Sequence, residues 1–139
     1  MEYKVYTTLP EAARQIRETV FIREQGFSLE FDETDHRAVH IVAWDGQQPA
    51  GTCRVYSGEG CFHIGRVAVL PPYRGTGLGR GLMAQAEAYI RSAGGTLAEL
   101  SGQVQAAGFY QKLGYTPLGE VYPDEGGPHI RMQKQLTEA

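Results

Sequence analysis

The spacing of apolar residues along the chain predicts two long helices and a shorter one. In the first helix, apolar residues recur at three- and four-residue steps and form one stripe: Leu9, Ala12, Ala13, Ile16 and Val20. Thr8 and Glu11 have the Thr-x-x-Glu spacing of a capping box, so this helix is expected to begin there. The second helix spans 78–92 and ends at Gly94-Gly95, and the third spans about 104–113.

Seven strands are predicted where apolar residues alternate with polar ones or run together. They cover 3–6, 39–44, about 50–56, 62–70, 96–100, 115–122 and 129–136. Turn residues at 45–46 and 57–60 make the second to fourth strands an antiparallel meander. A crossover through helix 78–92 makes strands 62–70 and 96–100 parallel. The pattern therefore predicts one α/β (α+β) domain over 1–139, with a mixed and largely antiparallel twisted sheet.

The segment 23–37 breaks the helical pattern and mixes acidic residues with Phe27, Leu29 and Phe31. A loop of this length inside a compact domain is more often functional than a plain connection. We therefore expect it to shape a binding site.

Composition narrows the possible partners. The net charge is −3, from 13 basic and 16 acidic side chains, which argues against non-specific binding to nucleic acid or to an anionic membrane. The chain opens without an apolar signal core, and no apolar run approaches the roughly 18 residues of a membrane span. A cytoplasmic protein, monomeric or homodimeric, is the expectation.

The two cysteines, Cys53 and Cys61, are too few for a disulfide framework. If 57–60 is a hairpin loop, Cys61 lies across from about Tyr56 and Cys53 from about Ile64, which is out of bridging register. Both are expected to be free thiols. Neither their spacing nor that of His36, His40 and His63 predicts a metal site.

The most informative segment is the glycine-rich stretch between strand 62–70 and helix 78–92. Its residues are Arg74, Gly75, Thr76, Gly77, Leu78, Gly79 and Arg80. Glycines leave backbone amides uncovered, and a helix N-terminus adds unpaired N–H donors, so an anion such as a diphosphate is expected to bind there. Neither the P-loop pattern nor the dinucleotide fingerprint fits, because Arg80 stands where each would need another residue.

The remaining pattern, Arg-x-x-Gly-x-Gly at Arg74, Gly77 and Gly79, resembles the pyrophosphate-binding segment of the GNAT acyltransferases. The element order is similar to the GNAT fold over nearly the whole chain. Further matches lie at 109–115 (Phe-Tyr-Gln-Lys-Leu-Gly-Tyr), 121–122, 127–130 and 20–25. These resemble the small bacterial branch that includes glyphosate N-acetyltransferase. The resemblance implies a sheet of about seven strands flanked by about four helices.

The resemblance also implies acetyl-CoA as cosubstrate and a set of site residues. Residues 74–80 would hold the diphosphate, the backbone of Val67, Ala68 and Val69 would bind the acetyl carbonyl and the pantetheine arm, and Tyr110 would protonate the leaving thiolate. Gln103 and Gln105 would contact CoA. Ser101-Gly102 departs from the more usual Asn-Ala and leaves one contact open.

For the acetyl acceptor, His129 is a candidate base or carboxylate contact. Arg66, Arg23 and Arg131 are the preferred carboxylate contacts, and Arg17 and Arg54 are further candidates; Glu24, Glu30 and Asp32 could bind a cationic acceptor instead. The function expected is direct acetyl transfer to a primary amine of a small molecule. A protein lysine or N-terminus as acceptor, and a non-catalytic CoA-binding or phosphoanion-binding module, are the alternatives.

Overall fold

The computed structural model describes residues 1–27, 31–124 and 127–136 and contains a seven-stranded sheet. The strands are β1 (Glu2–Tyr6), β2 (Val39–Asp45), β3 (Gln48–Gly58), β4 (Cys61–Val69), β5 (Leu97–Gln103), β6 (Thr116–Asp124) and β7 (Gly127–Gln135). Their order across the sheet is β1-β2-β3-β4-β5-β7-β6, and β4–β5 is the parallel pair among otherwise antiparallel neighbours. The mixed, mostly antiparallel sheet is confirmed.

The α-helices are α1 (Glu11–Arg17), α2 (Leu78–Ser92) and α3 (Ala107–Lys112). α1 continues as a π-helical segment, Glu18–Glu24, and single 3₁₀ turns lie at Glu33–His36, Pro71–Tyr73 and Val104–Ala106. The predicted capping box was wrong, because Pro10 occupies the N-cap position and no side chain caps the helix. The predicted loop 23–37 was only partly right, since its described residues include the end of the π-helical segment and one 3₁₀ turn.

The β3–β4 hairpin is tighter than its sequence suggested. Glu59 and Gly60 form the turn, both with positive φ (54° and 83°), as in a two-residue type I′ turn. Cys61 therefore pairs with Gly58, and Tyr56 pairs with His63, so the predicted register was wrong by two residues. Both cysteines are free.

Strands β4 and β5 pair only at their first residues, through Phe62–Ala98 and His63–Glu99. Beyond that point β5 stays paired with β7 as far as Gln103, whereas β4 stays paired with β3 as far as Val69. The two strands therefore separate like the sides of a wedge. Backbone groups along the inner edges lose their ladder partners and become available to a ligand.

The sheet carries apolar layers on both faces. On one face, α2 buries Leu78, Leu82 and Ile90 against the middle strands. On the other, α1 and the segment after it bury Ile16 and Phe21 in a smaller cluster. The described part of the chain has no helix that is both long and apolar enough to cross a bilayer.

Candidate functional site

The wedge between β4 and β5 opens into a cleft of about 500 Å³. Its walls include Ile64–Val67 of β4 and Leu100–Gln103 of β5, and Tyr110 and His129 also line it. Because the strands diverge here, the cleft lies between backbone edges that have no partner strand across the gap. An extended ligand could enter as an added strand.

A β-bulge at Arg66 shapes the β4 wall. Thr52 pairs with Ala68 and Arg54 with Gly65, so two residues of β4 lie opposite one residue of β3. Arg66 has φ of 51°, an uncommon conformation for a residue with a side chain. The bulge bends β4 where the strands separate, beside the predicted acyl-binding residues Val67 and Ala68.

The glycine-rich segment lines a second cavity of about 480 Å³. Gly75 and Gly77 have φ of 78° and 88°, and a Cβ at either position would meet nothing within 4 Å. These glycines are therefore required by their backbone conformation and lie beside open space. A Cβ at Gly79 would lie 3.3 Å from Phe109 Cζ, so that glycine lets α2 approach α3 closely. Open backbone amides at the start of α2 fit a diphosphate.

Tyr110 lines both the cleft between β4 and β5, called the wedge cleft below, and the cavity beside the glycine-rich segment, called the glycine cavity. Its ring lies edge-on to Phe109 and to Tyr115, with centroid separations of 5.1 and 6.2 Å. The side chain is buried, and burial raises the pKa of its hydroxyl above the ordinary value, so it stays protonated at neutral pH.

Gly102 lines the wedge cleft, and in the sequence it stood out only as a departure from the usual motif. A Cβ there would lie 3.2 Å from two ring carbons of Tyr110. The missing side chain lets the Tyr110 ring pack directly on β5. Only the replacement of Asn-Ala by Ser101-Gly102 could have signalled this in the sequence.

Two predicted CoA contacts, Gln103 and Gln105, lie at the wedge cleft and are hydrogen-bonded to each other. Gln103 Nε2 also donates to Gln25 Oε1 at 3.0 Å, joining β5 to the segment after α1. Arg74 lines both cavities, and its guanidinium is bound by Glu24 at 2.6 and 2.7 Å. The predicted diphosphate site therefore contains a carboxylate, Glu24, that the sequence did not place there.

A third cavity, of about 400 Å³, adjoins the wedge cleft and shares Ile64, Gly65 and Arg66 with its lining. Arg66, Arg131 and His129 line it, as predicted for the acceptor, together with Asp32 and Tyr122. His129 Nδ1 lies 2.9 Å from the Gly127 carbonyl oxygen. Since a carbonyl only accepts, Nδ1 must carry the proton, and Nε2 of the neutral ring is the basic nitrogen.

Of the remaining predicted arginines, Arg54 also lines the third cavity, whereas Arg17 and Arg23 line none of the three. Arg23 is exposed on the π-helical segment. Arg17 binds Asp35 through two hydrogen bonds of 2.8 and 3.0 Å and is almost wholly buried. Arg54 binds Asp32 and Asp35 at 2.7 and 3.0 Å. Arg17 and Arg54 are thus parts of a buried ionic network. Glu30 lies outside the described residues.

Comparison with known proteins gives a family for this arrangement. A family model described as "Acetyltransferase (GNAT) domain" matches residues 8–136. The chain belongs to this GNAT family.

Relatives and solved structures agree with the assignment. The uncharacterized N-acetyltransferase YjcF of Bacillus subtilis is 36% identical over 122 residues, which cover 86% of this chain and 87% of that protein. A crystal structure of an acyl-CoA N-acyltransferase from Pseudomonas aeruginosa has a TM-score of 0.85 and 32% identity, covering 96% of this chain and 98% of that one.

A third match is an aminoglycoside 6′-N-acetyltransferase complexed with coenzyme A, with a TM-score of 0.78 and 18% identity over 100% of this chain and 99% of that one. At that identity the likeness concerns the fold alone. The family model and the matches above 30% identity identify this GNAT protein as an N-acetyltransferase that uses acetyl-CoA as cosubstrate. The finer resemblance to glyphosate N-acetyltransferase stays a prediction.

Proposed function

We propose that this GNAT protein transfers acetyl directly from acetyl-CoA to a primary amine of a small molecule, with Tyr110 as proton donor to the departing thiolate. The observation that carries the proposal is the position of Tyr110, which lines both the glycine cavity and the wedge cleft. A cosubstrate that runs from one cavity into the other would pass Tyr110, together with Val67, Arg74 and Ala106, which also line both.

The cosubstrate would extend across the two cavities. Its diphosphate would lie on the amides of residues 75–80 beside Arg74, and its pantetheine arm would follow the free edge of β4 at Val67–Val69. Gln103 and Gln105 would border the arm from the β5 side. Bound acetyl-CoA supplies the acetyl group as an activated thioester.

Tyr110 would act as a donor within a water-poor cleft. An ordinary thiol has a pKa of about 8.5 and an ordinary phenol about 10, and burial raises the pKa of Tyr110 further. The same burial would also raise the pKa of the CoA thiol that forms beside it. The gap between the pKa values of Tyr110 and of that thiol would therefore narrow again. The hydroxyl would therefore stabilise the thiolate by a hydrogen bond that strengthens as the C–S bond breaks.

The acceptor amine would approach from the third cavity. His129 lines this cavity and the wedge cleft, so its Nε2 could take a proton from an incoming ammonium, directly or through water. Arg66 and Arg131 also line the cavity and could contact an acceptor carboxylate. Its volume of about 400 Å³ suits a small molecule. A protein acceptor would have to insert a lysine side chain or its N-terminus into this cavity.

The decisive experiment is a Tyr110→Phe variant, which keeps the ring and removes the donor. On an amine panel with a thiol-release readout, we expect kcat to fall about 10- to 1000-fold while the Kd for CoA stays unchanged. Tyr89→Phe is the matched control, because Tyr89 lies on α2 and lines neither CoA cavity.

Two outcomes would overturn parts of the proposal. Unchanged turnover in Tyr110→Phe would remove Tyr110 from the mechanism. Tight binding of acetyl-CoA without turnover of any small amine would favour the alternatives, and a peptide panel would then separate a protein acetyltransferase from a non-catalytic CoA-binding module.

A further inference from the structure

Three side chains with metal-binding atoms meet at the closed end of the β4–β5 wedge. Cys61 Sγ lies 3.6 Å from His63 Nε2, and His63 Nδ1 lies 3.8 Å from Glu99 Oε2. One donor atom from each of the three residues lies within 4.8 Å of the others. None of the three lines the wedge cleft or the glycine cavity, whereas His63 and Glu99 also line the third cavity.

The strand register holds this cluster in place. His63 and Glu99 are directly paired across the parallel strands, and Cys61 lies two residues before His63 on the same face of β4. The tight turn at Glu59-Gly60 fixes the start of β4 through the Gly58–Cys61 pair. The backbone therefore brings all three side chains to one point of the sheet without help from a mobile loop.

We propose that Cys61, His63 and Glu99 bind a borderline-soft divalent cation of the zinc class. Zinc takes thiolate, imidazole and carboxylate ligands at about 2.0–2.3 Å, which in a tetrahedral site places neighbouring ligand atoms about 3.5 Å apart. The Cys61–His63 separation already matches this spacing. Water would complete a four-coordinate site, since the three side chains are only partly buried.

A nucleophilic Cys-His-Glu triad fits the same residues less well. Burial raises the pKa of the Cys61 thiol, and the nearby carboxylates of Glu99 and Glu59 raise it further, so the thiolate is disfavoured in the free protein. His63 Nε2 also lies 3.1 Å from the Gly58 carbonyl oxygen, where it can only donate a proton. A divalent cation would stabilise the Cys61 thiolate. A neutral His63 that donates this hydrogen bond to Gly58 would not.

A metal ion at this cluster would have to displace some of the contacts that Glu99 and His63 make with their neighbours. Glu99 Oε1 accepts from Gln133 at 2.7 Å, and Arg131 Nε lies 3.5 Å from Glu99 Oε2. The Gln133 bond would orient the carboxylate from behind, whereas Arg131 would have to turn away. The Arg131 side chain is 55% exposed and can do so into solvent. His63 would also give up its bond to Gly58.

Cobalt(II) is the probe for this site, because Co²⁺ accepts the same ligands and reports them in its spectrum. Titrating the full chain, purified without a metal-binding tag, should give one equivalent of Co²⁺ with a thiolate-to-metal charge-transfer band in the near ultraviolet. The visible bands should have the intensity of a four-coordinate centre, and Zn²⁺ should displace the cobalt.

Matched variants decide which residues are ligands. Cys61→Ser should abolish the charge-transfer band, and His63→Gln and Glu99→Gln should each weaken binding at least about tenfold. Cys53→Ser is the control and should keep the full spectrum, since Cys53 is buried beneath α2.

Two kinds of result would overturn the metal-site proposal. A charge-transfer band that persists in Cys61→Ser, or octahedral cobalt without thiolate, would place the metal elsewhere. The absence of stoichiometric binding in wild type, with circular dichroism showing a folded protein, would mean that the cluster is only a polar contact. No acetyl-CoA is needed, so this test and that of the acetyl-transfer proposal succeed or fail independently.

Discussion

Arg74 and Glu24 are joined by two charge-assisted hydrogen bonds of 2.6 and 2.7 Å, although 50 residues separate them in the chain. Arg74 Nε also donates to the Val69 carbonyl oxygen at 2.9 Å. The hydrogen bonds from Arg74 lower the pKa of Glu24, so the carboxylate is charged at neutral pH. A negative charge therefore lies beside the segment proposed to bind the diphosphate of acetyl-CoA.

Glu24→Gln should tighten CoA binding by about two- to fivefold at low salt, because it removes a like charge from beside the diphosphate and frees Arg74. Isothermal titration with CoA at two ionic strengths measures this, and the gain should shrink as salt rises. Glu18→Gln is the control: it removes a charge from the same π-helical segment without touching Arg74. Weaker binding in Glu24→Gln would instead mean that Glu24 holds Arg74 in its binding position.

Asp35→Asn should destabilise the fold by about 3–5 kcal/mol, since Asp35 binds the nearly buried Arg17 and Arg54. Urea unfolding at pH 7 measures the loss. Glu33→Gln is a control in the same 3₁₀ turn, because Glu33 is exposed. Equal stability of Asp35→Asn and wild type would show that the network contributes nothing net.

The same network predicts how stability depends on pH. Burial alone would raise the pKa of Asp35, but the hydrogen bonds and charges of Arg17, with help from Arg54, outweigh it and hold the pKa well below its ordinary value. A depressed pKa in the folded state adds stability above the unfolded value of about 4, and this stability is lost as the pH falls below it. Wild-type stability should therefore drop on acidification from pH 5 toward pH 2, and Asp35→Asn should drop less steeply.

Two glycine substitutions should have opposite effects. A Cβ at Gly51 would lie 2.5 Å from Leu78 Cδ2 and 3.1 Å from the Ala68 carbonyl oxygen, so Gly51→Ala should cost about 1–3 kcal/mol by overpacking. A Cβ at Gly108, within α3, would meet nothing within 4 Å, so Gly108→Ala should add about 0.5–1 kcal/mol through helix propensity. Thermal unfolding of both variants checks the two signs, and a stable Gly51→Ala would show that α2 can shift away from β3.

Local sequence signals predicted much of the fold and named several residues that line the two cavities proposed for the cosubstrate. The spacing of apolar residues over 78–92 predicted α2 with its observed bounds. Gly75 and Gly77 have positive φ, a backbone conformation that a glycine in the sequence can signal by itself. Arg66 shows the opposite case. Its positive φ comes from a bulge whose cause is the pairing of β3 with β4, and an arginine gives no local sign of it.

Contacts between distant segments were not predictable from one sequence. Glu24 was an alternative contact for a cationic acceptor but binds Arg74, and Arg17 was a possible contact for an acceptor carboxylate but binds Asp35. No metal site was predicted, because the Cys61–His63 spacing means little until strand pairing adds Glu99. In each case the partner is chosen by tertiary packing, which residue spacing along one chain does not encode.

Tyr115 supports the ring of Tyr110 in the folded protein. The Tyr115 ring packs edge-on against Tyr110, and its hydroxyl donates to Glu87 Oε2 at 2.9 Å, where Lys134 also binds. Tyr115→Phe should cost about 1 kcal/mol in unfolding free energy by losing this bond. It should leave kcat nearly unchanged, because the ring that contacts Tyr110 remains. Tyr115→Leu, which removes the edge-on contact, should lower kcat as well, and equal kcat in both variants would show that Tyr110 is held without Tyr115.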